Sequence, residues 1–233
     1  HTTVHTRDFQ VAMETASGRN LDGFFHDWVL SPGHPAISVK TGWAKGLLKV
    51  TVTQKQKGDD VPEAYRFPLA LKLVTGDAER IVTLPVEERT RTWAIPLDDE
   101  PSRVEVDSGF RFLSNLTVEG SRKLLQASLK DDSSVVGRIR AAKALAKDGS
   151  PRAMAALASA LKNDSFWGVR AEIARLLGKN GTDAARKALL SCIDDSHPKA
   201  RGPIIDSLGH LPSHPEVVAA LKQIVADGDP SLQ

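Results

Sequence analysis

The residues best suited to metal chemistry lie at the start of the chain. His1 and His5 have the i, i+4 spacing of two zinc ligands on one helix face. Thr2 stands where a zinc peptidase motif of the H-E-x-x-H type carries its glutamate general base, and the 233 residues contain no complete H-E-x-x-H sequence. A histidine pair without a third ligand is more often incidental than functional, so we predict no metal-binding residue in this chain.

Other side chains capable of acid–base or nucleophilic chemistry are scattered. His26 beside Asp27 forms either an orienting pair or a surface histidine near a helix end, and we favour the surface histidine. Cys192 is expected to be buried and inert on the apolar side of a repeat helix, because a nucleophile would need a nearby histidine and positive charge. Three further histidines precede prolines and are interpreted as loop residues: His34, His197 and His214. We therefore predict no catalytic residue.

Three arginines recur at almost constant spacing. Arg138, Arg170 and Arg201 are separated by 32 and 31 residues. They could form a basic ladder for nucleic acid, or they could bridge adjacent repeats through acidic partners. We favour bridging, because stacking aromatic residues are scarce around them and the net charge of the chain is only +2. The sequence thus predicts neither a nucleic-acid partner nor a membrane partner.

The composition is typical of a folded, soluble protein. Hydrophobic residues make up 41% and charged residues 26% of the chain, and the single cysteine excludes an internal disulfide. No apolar run approaches the roughly 20 residues that span a bilayer. The first residues lack the features of a signal peptide and there is no initiator methionine. We expect a piece of a longer protein whose compartment the sequence leaves undetermined.

Residues 1–35 are predicted to form two short helices. Thr6 is the expected N-cap of the first, and Asn20 that of the second. The first helix has an apolar stripe at helical spacing, formed by Phe9, Ala12, Met13 and Ala16. The second has a broad apolar face formed by Leu21, Phe24, Phe25, Trp28 and Val29. Two prolines between Ser31 and Pro35 end it. Such short, apolar helices need a larger body to pack on.

Residues 36–117 are predicted to form an immunoglobulin-like antiparallel β-sandwich. Hydrophobic residues alternate with polar ones in six or seven short segments, of which Leu48 to Gln54 is the clearest. Trp43 and Trp93 are either stacking residues of a carbohydrate-binding module or part of the core. We favour the core, because tryptophans in such sheets are more often buried.

Residues 118–233 are predicted to form a HEAT-like α-helical solenoid. Two sets of apolar residues repeat every 32 positions. They are Leu125, Leu157, Leu189 and Leu221, and Leu129, Leu161, Ile193 and Val225. Asp-Ser pairs at Asp132, Asp164 and Asp195 are expected to provide the N-caps that restart each unit. Asp229 to Ser231 resembles the start of another unit.

The order of these three parts resembles the zinc aminopeptidase family of the membrane alanyl aminopeptidase type, in the form with C-terminal HEAT-like repeats. The resemblance is most specific in the first 35 residues: Phe9, Ala12-Met13-Glu14, Ala16-Ser17-Gly18-Arg19, Leu21, Phe24-Phe25, Trp28 and Pro32-Gly33-His34-Pro35. It continues through Trp43, Val52-Thr53-Gln54-Lys55-Gln56, Phe67-Pro68-Leu69, Val104-Glu105-Val106-Asp107 and Trp167-Gly168-Val169-Arg170-Ala171-Glu172.

The resemblance implies a parent enzyme that removes N-terminal residues from peptides with zinc-activated water. Its zinc motif, the downstream glutamate ligand and the G-x-M-E-N motif would all lie upstream of His1. Met13-Glu14 does not match the last motif, because glycine and asparagine do not flank it. The chain alone is therefore predicted to be inactive, with no catalytic, cofactor-binding or metal-binding residue; zinc belongs to the parent.

The resemblance also implies partners. The sandwich would brace the missing catalytic domain, and the helical repeats would close over the channel through which peptides enter. Self-association through Phe24, Phe25 and Trp28 is the alternative if the chain exists without that domain. A rival interpretation of the whole chain is a HEAT-repeat interaction scaffold, related to these peptidases but without activity.

Overall fold

The first part of the chain is helical in the computed structural model, which describes residues 3–226. Helix α1 spans Thr6–Ser17 and ends at Gly18, whose φ of 65° only glycine adopts without strain. Helix α2 spans Asp22–Phe25 and continues into one π-helical turn, His26–Leu30.

The caps of both helices differ from the prediction. Thr6 is not an N-cap but the first helical residue, because His5 is the extended residue whose N–H donates to the Asp8 carboxylate at 2.9 Å. The N-cap position of α2 is Leu21, although the Asn20 side chain still accepts a hydrogen bond from the first helical N–H.

Seven strands follow in two small sheets. They are β1 (Ala36–Ala44), β2 (Leu47–Gln54), β3 (Phe67–Thr75), β4 (Ala78–Val86), β5 (Thr90–Pro96), β6 (Arg103–Val106) and β7 (Asn115–Glu119). One sheet has the order β5-β2-β1-β7 and the other β4-β3-β6. Alternate residues of both sheets share one hydrophobic cluster, which explains the predicted alternation. Trp43 and Trp93 are half-buried against that cluster, as the core interpretation expects.

The pairing of β1 with β7 is parallel, so the prediction of wholly antiparallel sheets is wrong at this pair. After β6 the chain crosses from the three-stranded sheet and returns beside the start of β1, where the Asn115 N–H donates to the Pro35 carbonyl at 2.9 Å. Both strands then run in the same direction. Strand β7 continues two residues past the predicted boundary at residue 117. The immunoglobulin-like topology and the domain boundaries stay predictions.

Seven helices complete the described residues. They are α3 (Arg122–Asp131), α4 (Val135–Asp148), α5 (Pro151–Asn163), α6 (Trp167–Asn180), α7 (Asp183–Leu190), α8 (Pro198–Gly209) and α9 (Pro215–Ala226). Within the described part of the chain, no helix combines the length and apolar character that crossing a membrane requires.

The prediction that the Asp-Ser pairs provide the helix N-caps is wrong. Each aspartate lies at the start of the turn between two helices, whereas the N-cap is the last residue of that turn. Asp132 and Asp164 are the C-caps of α3 and α5, and each accepts a hydrogen bond from the backbone N–H two residues later. Asp195 does the same before α8. The N-cap positions of α4, α6 and α8 are Ser134, Phe166 and His197.

The repeat core follows the predicted periodicity except at its last position. Leu157, Leu161 and Leu189 are fully buried in one cluster. Val225 is exposed instead, although Val217 and Ile224 on the same helix are buried. The predicted further unit at Asp229 to Ser231 lies outside the described residues.

A polar seam joins the sheets to the helices. The Glu105 carboxylate on β6 is fully buried and accepts hydrogen bonds from Arg103 at 2.9 Å and from Ser133, just before α4, at 2.8 Å. Burial alone would raise the pKa of Glu105, but these two bonds and the nearby Lys72 ammonium hold the pKa below its ordinary value. The seam therefore fixes the first helices of the repeat region on the three-stranded sheet.

Candidate functional site

Of the histidine pair that we interpret as incidental, His1 lies outside the described residues. His5 precedes α1 and is exposed. Between residues 3 and 226, no three His, Cys, Asp or Glu side chains lie close enough together to hold a metal ion. The prediction that the chain has no metal ligand stays a prediction.

Asp27 is the anchor of the N-terminal helices on the sheets. Its side chain is only 3% exposed, and its carboxylate accepts hydrogen bonds from the Arg66 guanidinium at 2.8 and 2.9 Å and from the Arg66 N–H at 3.2 Å. Burial raises the pKa of Asp27, but the hydrogen bonds from Arg66 and His26 outweigh it and keep the pKa below its ordinary value. His26 itself is exposed, as predicted, with its Nδ1 at 3.1 Å from Asp27. Sequence reasoning missed Arg66, which is 39 residues away.

Trp28 forms the apolar half of the same joint. Its indole N–H donates to the Arg66 carbonyl at 3.1 Å, and its ring lies 5.3 Å from Tyr65 and 6.3 Å from Phe67. Phe25 is fully buried. Of the three residues predicted for self-association, Phe24 is exposed, Trp28 is half-buried and Phe25 is covered within the chain itself.

Helix α1 packs on α2 through its polar side. The buried Gln10 amide donates to the Asp22 carboxylate at 2.6 Å, and the Glu14 carboxylate accepts from the Leu21 N–H at 2.8 Å. The bond from Gln10 is the largest of the effects that lower the pKa of Asp22, and Arg7 adds to it at 3.2 Å. Within α1, only Gln10 is buried.

The apolar stripe of α1 faces solvent. Phe9, Ala12, Met13 and Ala16, named here the uncovered stripe, lie at helical spacing and are all exposed, Phe9 to 58% and Met13 to 38%. Phe24 extends it, because Phe9 and Phe24 both pack edge-on against the Phe25 ring. An amphipathic helix in a complete domain normally turns such a stripe toward the core. The uncovered stripe is therefore the candidate functional surface of this part of the chain.

The recurrent arginines form clamps between successive repeats. Arg138 donates to both carboxylate oxygens of Asp164, at 2.8 and 3.1 Å, and to the Asp132 carbonyl. Arg170 does the same to Asp195, at 2.7 and 2.9 Å, and to the Asp164 carbonyl. The predicted bridging is confirmed at these two positions.

The third recurrent arginine makes different contacts. Arg201 donates to the Ile193 carbonyl at 3.2 Å and lies 3.5 Å from Asp194. The acceptors named here for the three arginines belong to the turns that begin each unit. Their guanidinium groups are engaged within the chain, which argues against a phosphate ladder.

The remaining candidates do not converge on one site. Cys192 is half-buried against the helical core, in the turn after α7 rather than on a helix, because α7 already ends at Leu190. His34 is exposed in the loop before β1, as predicted. His197 stacks on the Trp167 ring at 5.3 Å, and the His214 Nδ1 lies 3.1 Å from Arg186.

Comparison with known proteins supports the fold at two levels. A family model described as HEAT repeats matches residues 121–201 and 154–233. A crystal structure of Legionella pneumophila aminopeptidase A in complex with aspartic acid is similar over 99% of this chain, with a TM-score of 0.64 and 16% identity. A structure of human deoxyhypusine hydroxylase in complex with glycerol covers 46% of this chain and 38% of its own, with 29% identity and a TM-score of 0.42, which is too low to support an argument. No curated protein sequence matches the chain.

These findings show the fold and not the activity. The helical C-terminal part contains HEAT repeats. The fold is similar to that of a segment of the aminopeptidase A structure, and the chain spans 33% of the length of that structure. The sequence resemblance to zinc aminopeptidases agrees with this likeness in architecture.

Proposed function

We propose that this chain is a noncatalytic C-terminal part of a zinc-dependent aminopeptidase that removes N-terminal residues from peptides. The fold likeness to aminopeptidase A, along 99% of this chain and 33% of that structure, carries the proposal. Residues 1–35 are then the helical end of a catalytic domain, 36–117 an immunoglobulin-like sandwich and 118–233 a HEAT-like solenoid. Zinc and the catalytic residues lie in the rest of the parent protein.

The partner of the uncovered stripe is, in this proposal, the rest of the catalytic domain. The stripe is formed by the same residues that resemble the family most closely, from Phe9 to Ala16. Helix α1 has little of its own surface buried, and contiguous exposed apolar residues mark interaction surfaces. The polar contacts between Gln10 and Asp22 hold α1 in place so that its apolar side faces outward.

The role of this part is to brace the catalytic domain and to place the helical repeats over the substrate channel. Buried polar contacts between successive parts support that role. Asp27 and Arg66 tie the N-terminal helices to the sheets, and Glu105 and Ser133 tie the sheets to the repeats. Through these contacts, a change in the position of the repeats would be transmitted to the catalytic domain.

The enzymatic part of the proposal is tested on the full-length protein. Turnover of aminoacyl-naphthylamide substrates is measured with and without a metal chelator, and the chain of residues 1–233 is assayed alongside. We expect chelator-sensitive turnover by the full-length protein and none by the chain alone. Absent or chelator-insensitive turnover by the full-length protein would contradict the proposal.

The structural part is tested with two substitutions on α1. Met13→Asp places a charge in the uncovered stripe, whereas Val11→Asp places one on the opposite side of the same helix, where Val11 is 47% exposed. In the full-length protein, Met13→Asp is expected to cost about 2–4 kcal/mol of stability, because the charge would be buried without a partner. Val11→Asp is expected to change little. Equal effects of the two substitutions would rule out docking through the stripe.

A second candidate function is a HEAT-repeat interaction scaffold without activity. The HEAT repeats in the helical part favour it, because such arrays present extended surfaces to partners. The chelator experiment separates the two candidates: a folded but inactive full-length protein favours the scaffold.

A further inference from the structure

A cavity of about 430 Å³ lies between strand β7 and helix α4. Strand β7 is the edge of the four-stranded sheet, and its whole length, 115–119, lines one wall. The opposite wall is one face of α4, since Arg140, Lys143, Ala144 and Lys147 have i, i+3, i+4 and i+7 spacing. Cavities of this size hold small organic ligands in other proteins.

Positive charge dominates the wall of this cavity, named here the β7–α4 cavity. Its lining contains four cationic side chains and one carboxylate, Glu119. Lys55 lies 4.0 Å from Glu119, and Lys143 lies 3.2 Å from Glu172. Lys147 has no hydrogen bond or ion pair to any residue in the described range. The charge is therefore only partly balanced within the chain.

Arg140 is the most unusual member of the lining. It is 7% exposed, yet its one hydrogen-bond acceptor among residues 3–226 is the Val106 carbonyl, at 2.8 Å from Nη1. The Phe110 ring lies 6.0 Å from its Cζ, and no carboxylate in the described part of the chain lies within ion-pair distance. Burial lowers the pKa of Arg140, and Asp107 and Asp132 oppose that effect only through space. Buried guanidinium groups normally bind carboxylates or phosphates directly.

We propose that the β7–α4 cavity binds a small organic anion that carries at least two carboxylate or phosphate groups. Arg140 would bind one anionic group at the buried end. Lys147 lies about 10 Å further along α4, at a rise of 1.5 Å per residue, and would bind a second. The half-buried Ala36, Val118 and Ala144 supply apolar surface for the body of the ligand. The proposal does not depend on aminopeptidase activity, because it rests only on the lining of this cavity.

The test measures binding to the full chain by calorimetry and thermal shift. The probes are citrate, inorganic phosphate and inorganic pyrophosphate, with acetate as the single-charge control and sodium chloride added to constant ionic strength. We expect citrate or pyrophosphate to bind more tightly than acetate. A preference for citrate assigns a carboxylate ligand, and a preference for pyrophosphate assigns a phosphate ligand.

Substitutions locate the bound probe. Lys147→Gln is expected to weaken the tightest probe about tenfold, as the loss of one charge-assisted contact does. Lys187→Gln, an exposed lysine on α7, is the matched control and should leave binding unchanged. Arg140→Lys should abolish tight binding; if that variant does not fold, the Lys147→Gln result decides. Dissociation constants all weaker than about 10 mM, or equal losses in the two lysine variants, would overturn the proposal.

Discussion

Replacing Asp132 with asparagine is expected to stabilise the protein at neutral pH. Asp132 ends α3, is 4% exposed, and accepts a hydrogen bond from the Ser134 N–H at 2.8 Å. Burial is the main cause that raises the pKa of this carboxyl to about 6, and the Glu105 charge adds to it, against the Ser134 bond. Asparagine keeps the side-chain oxygen that accepts this bond but has no proton to lose.

The size and sign of the effect follow from the shift in pKa. A rise from 3.8 to about 6 corresponds to about 3 kcal/mol. Because the folded state holds the Asp132 proton more tightly, this group contributes its stability fully below pH 3.8 and loses it as pH rises through about 6. The gain from Asp132→Asn should therefore be small near pH 4 and reach at most about 3 kcal/mol near pH 8.

Urea unfolding of both proteins between about pH 4 and pH 8 provides the measurement. The quantity of interest is the difference in free energy of unfolding between the variant and the original chain at each pH. Asp131→Asn, at the exposed neighbouring residue, is the matched control for removing a carboxylate, and the difference for Asp132→Asn should change with pH by more than the difference for this control. If the difference for Asp132→Asn does not change with pH, the raised pKa of the buried Asp132 carboxyl is refuted.

Two further predictions concern contacts between helices of the repeats. Arg170→Met is expected to lower the free energy of unfolding by about 3 kcal/mol, because it leaves the nearly buried Asp195 carboxylate without its guanidinium partner. Adding Asp195→Asn should recover much of this loss in a double-mutant cycle measured by urea unfolding. Additive losses in the two variants would argue against the clamp. Gly178→Ala should cost about 1–3 kcal/mol, because a Cβ there would lie 2.8 Å from that of Ser207. Gly209→Ala, at the corresponding repeat position with open space around it, should instead be neutral or gain up to about 1 kcal/mol in the same assay. A loss at Gly209 equal to that at Gly178 would contradict close packing against Ser207 as the cause, because alanine has a higher helix propensity than glycine and Gly209 has open space around it.

Local sequence patterns predicted the helices and strands better than they predicted which of them pack or pair with one another. The alternation from Leu48 to Gln54 predicted β2, and the 32-residue repeat predicted the helices of the C-terminal part. The apolar stripe on α1 was also predictable. What the sequence could not reveal is that this stripe would face solvent, because burial of Gln10 depends on a carboxylate twelve residues away.

Most of the contacts that the sequence did not predict are polar pairs between residues far apart in the chain. Arg66 gives no signal of its own in a strand-like segment. Its guanidinium nevertheless donates to the Asp27 carboxylate and helps to keep the pKa of Asp27 below its ordinary value. The parallel pairing of β7 with β1 was hidden as well, because β7 is short and 79 residues separate Ala36 from Asn115. The β7–α4 cavity arises from that same pairing, so its lining could not be assembled from sequence spacing, although the α4 face alone was visible.

The parallel pairing of β1 and β7 also determines how the chain would respond to a pulling force. The N-terminal helices lead into the start of β1, and the HEAT repeats follow the end of β7. Pulling these two parts away from each other would slide one strand along the other and load the hydrogen bonds of the pair together, rather than opening them one after another. The four-stranded sheet is therefore placed to resist tension between the N-terminal helices and the repeats, because the hydrogen bonds between β1 and β7 would bear the load together.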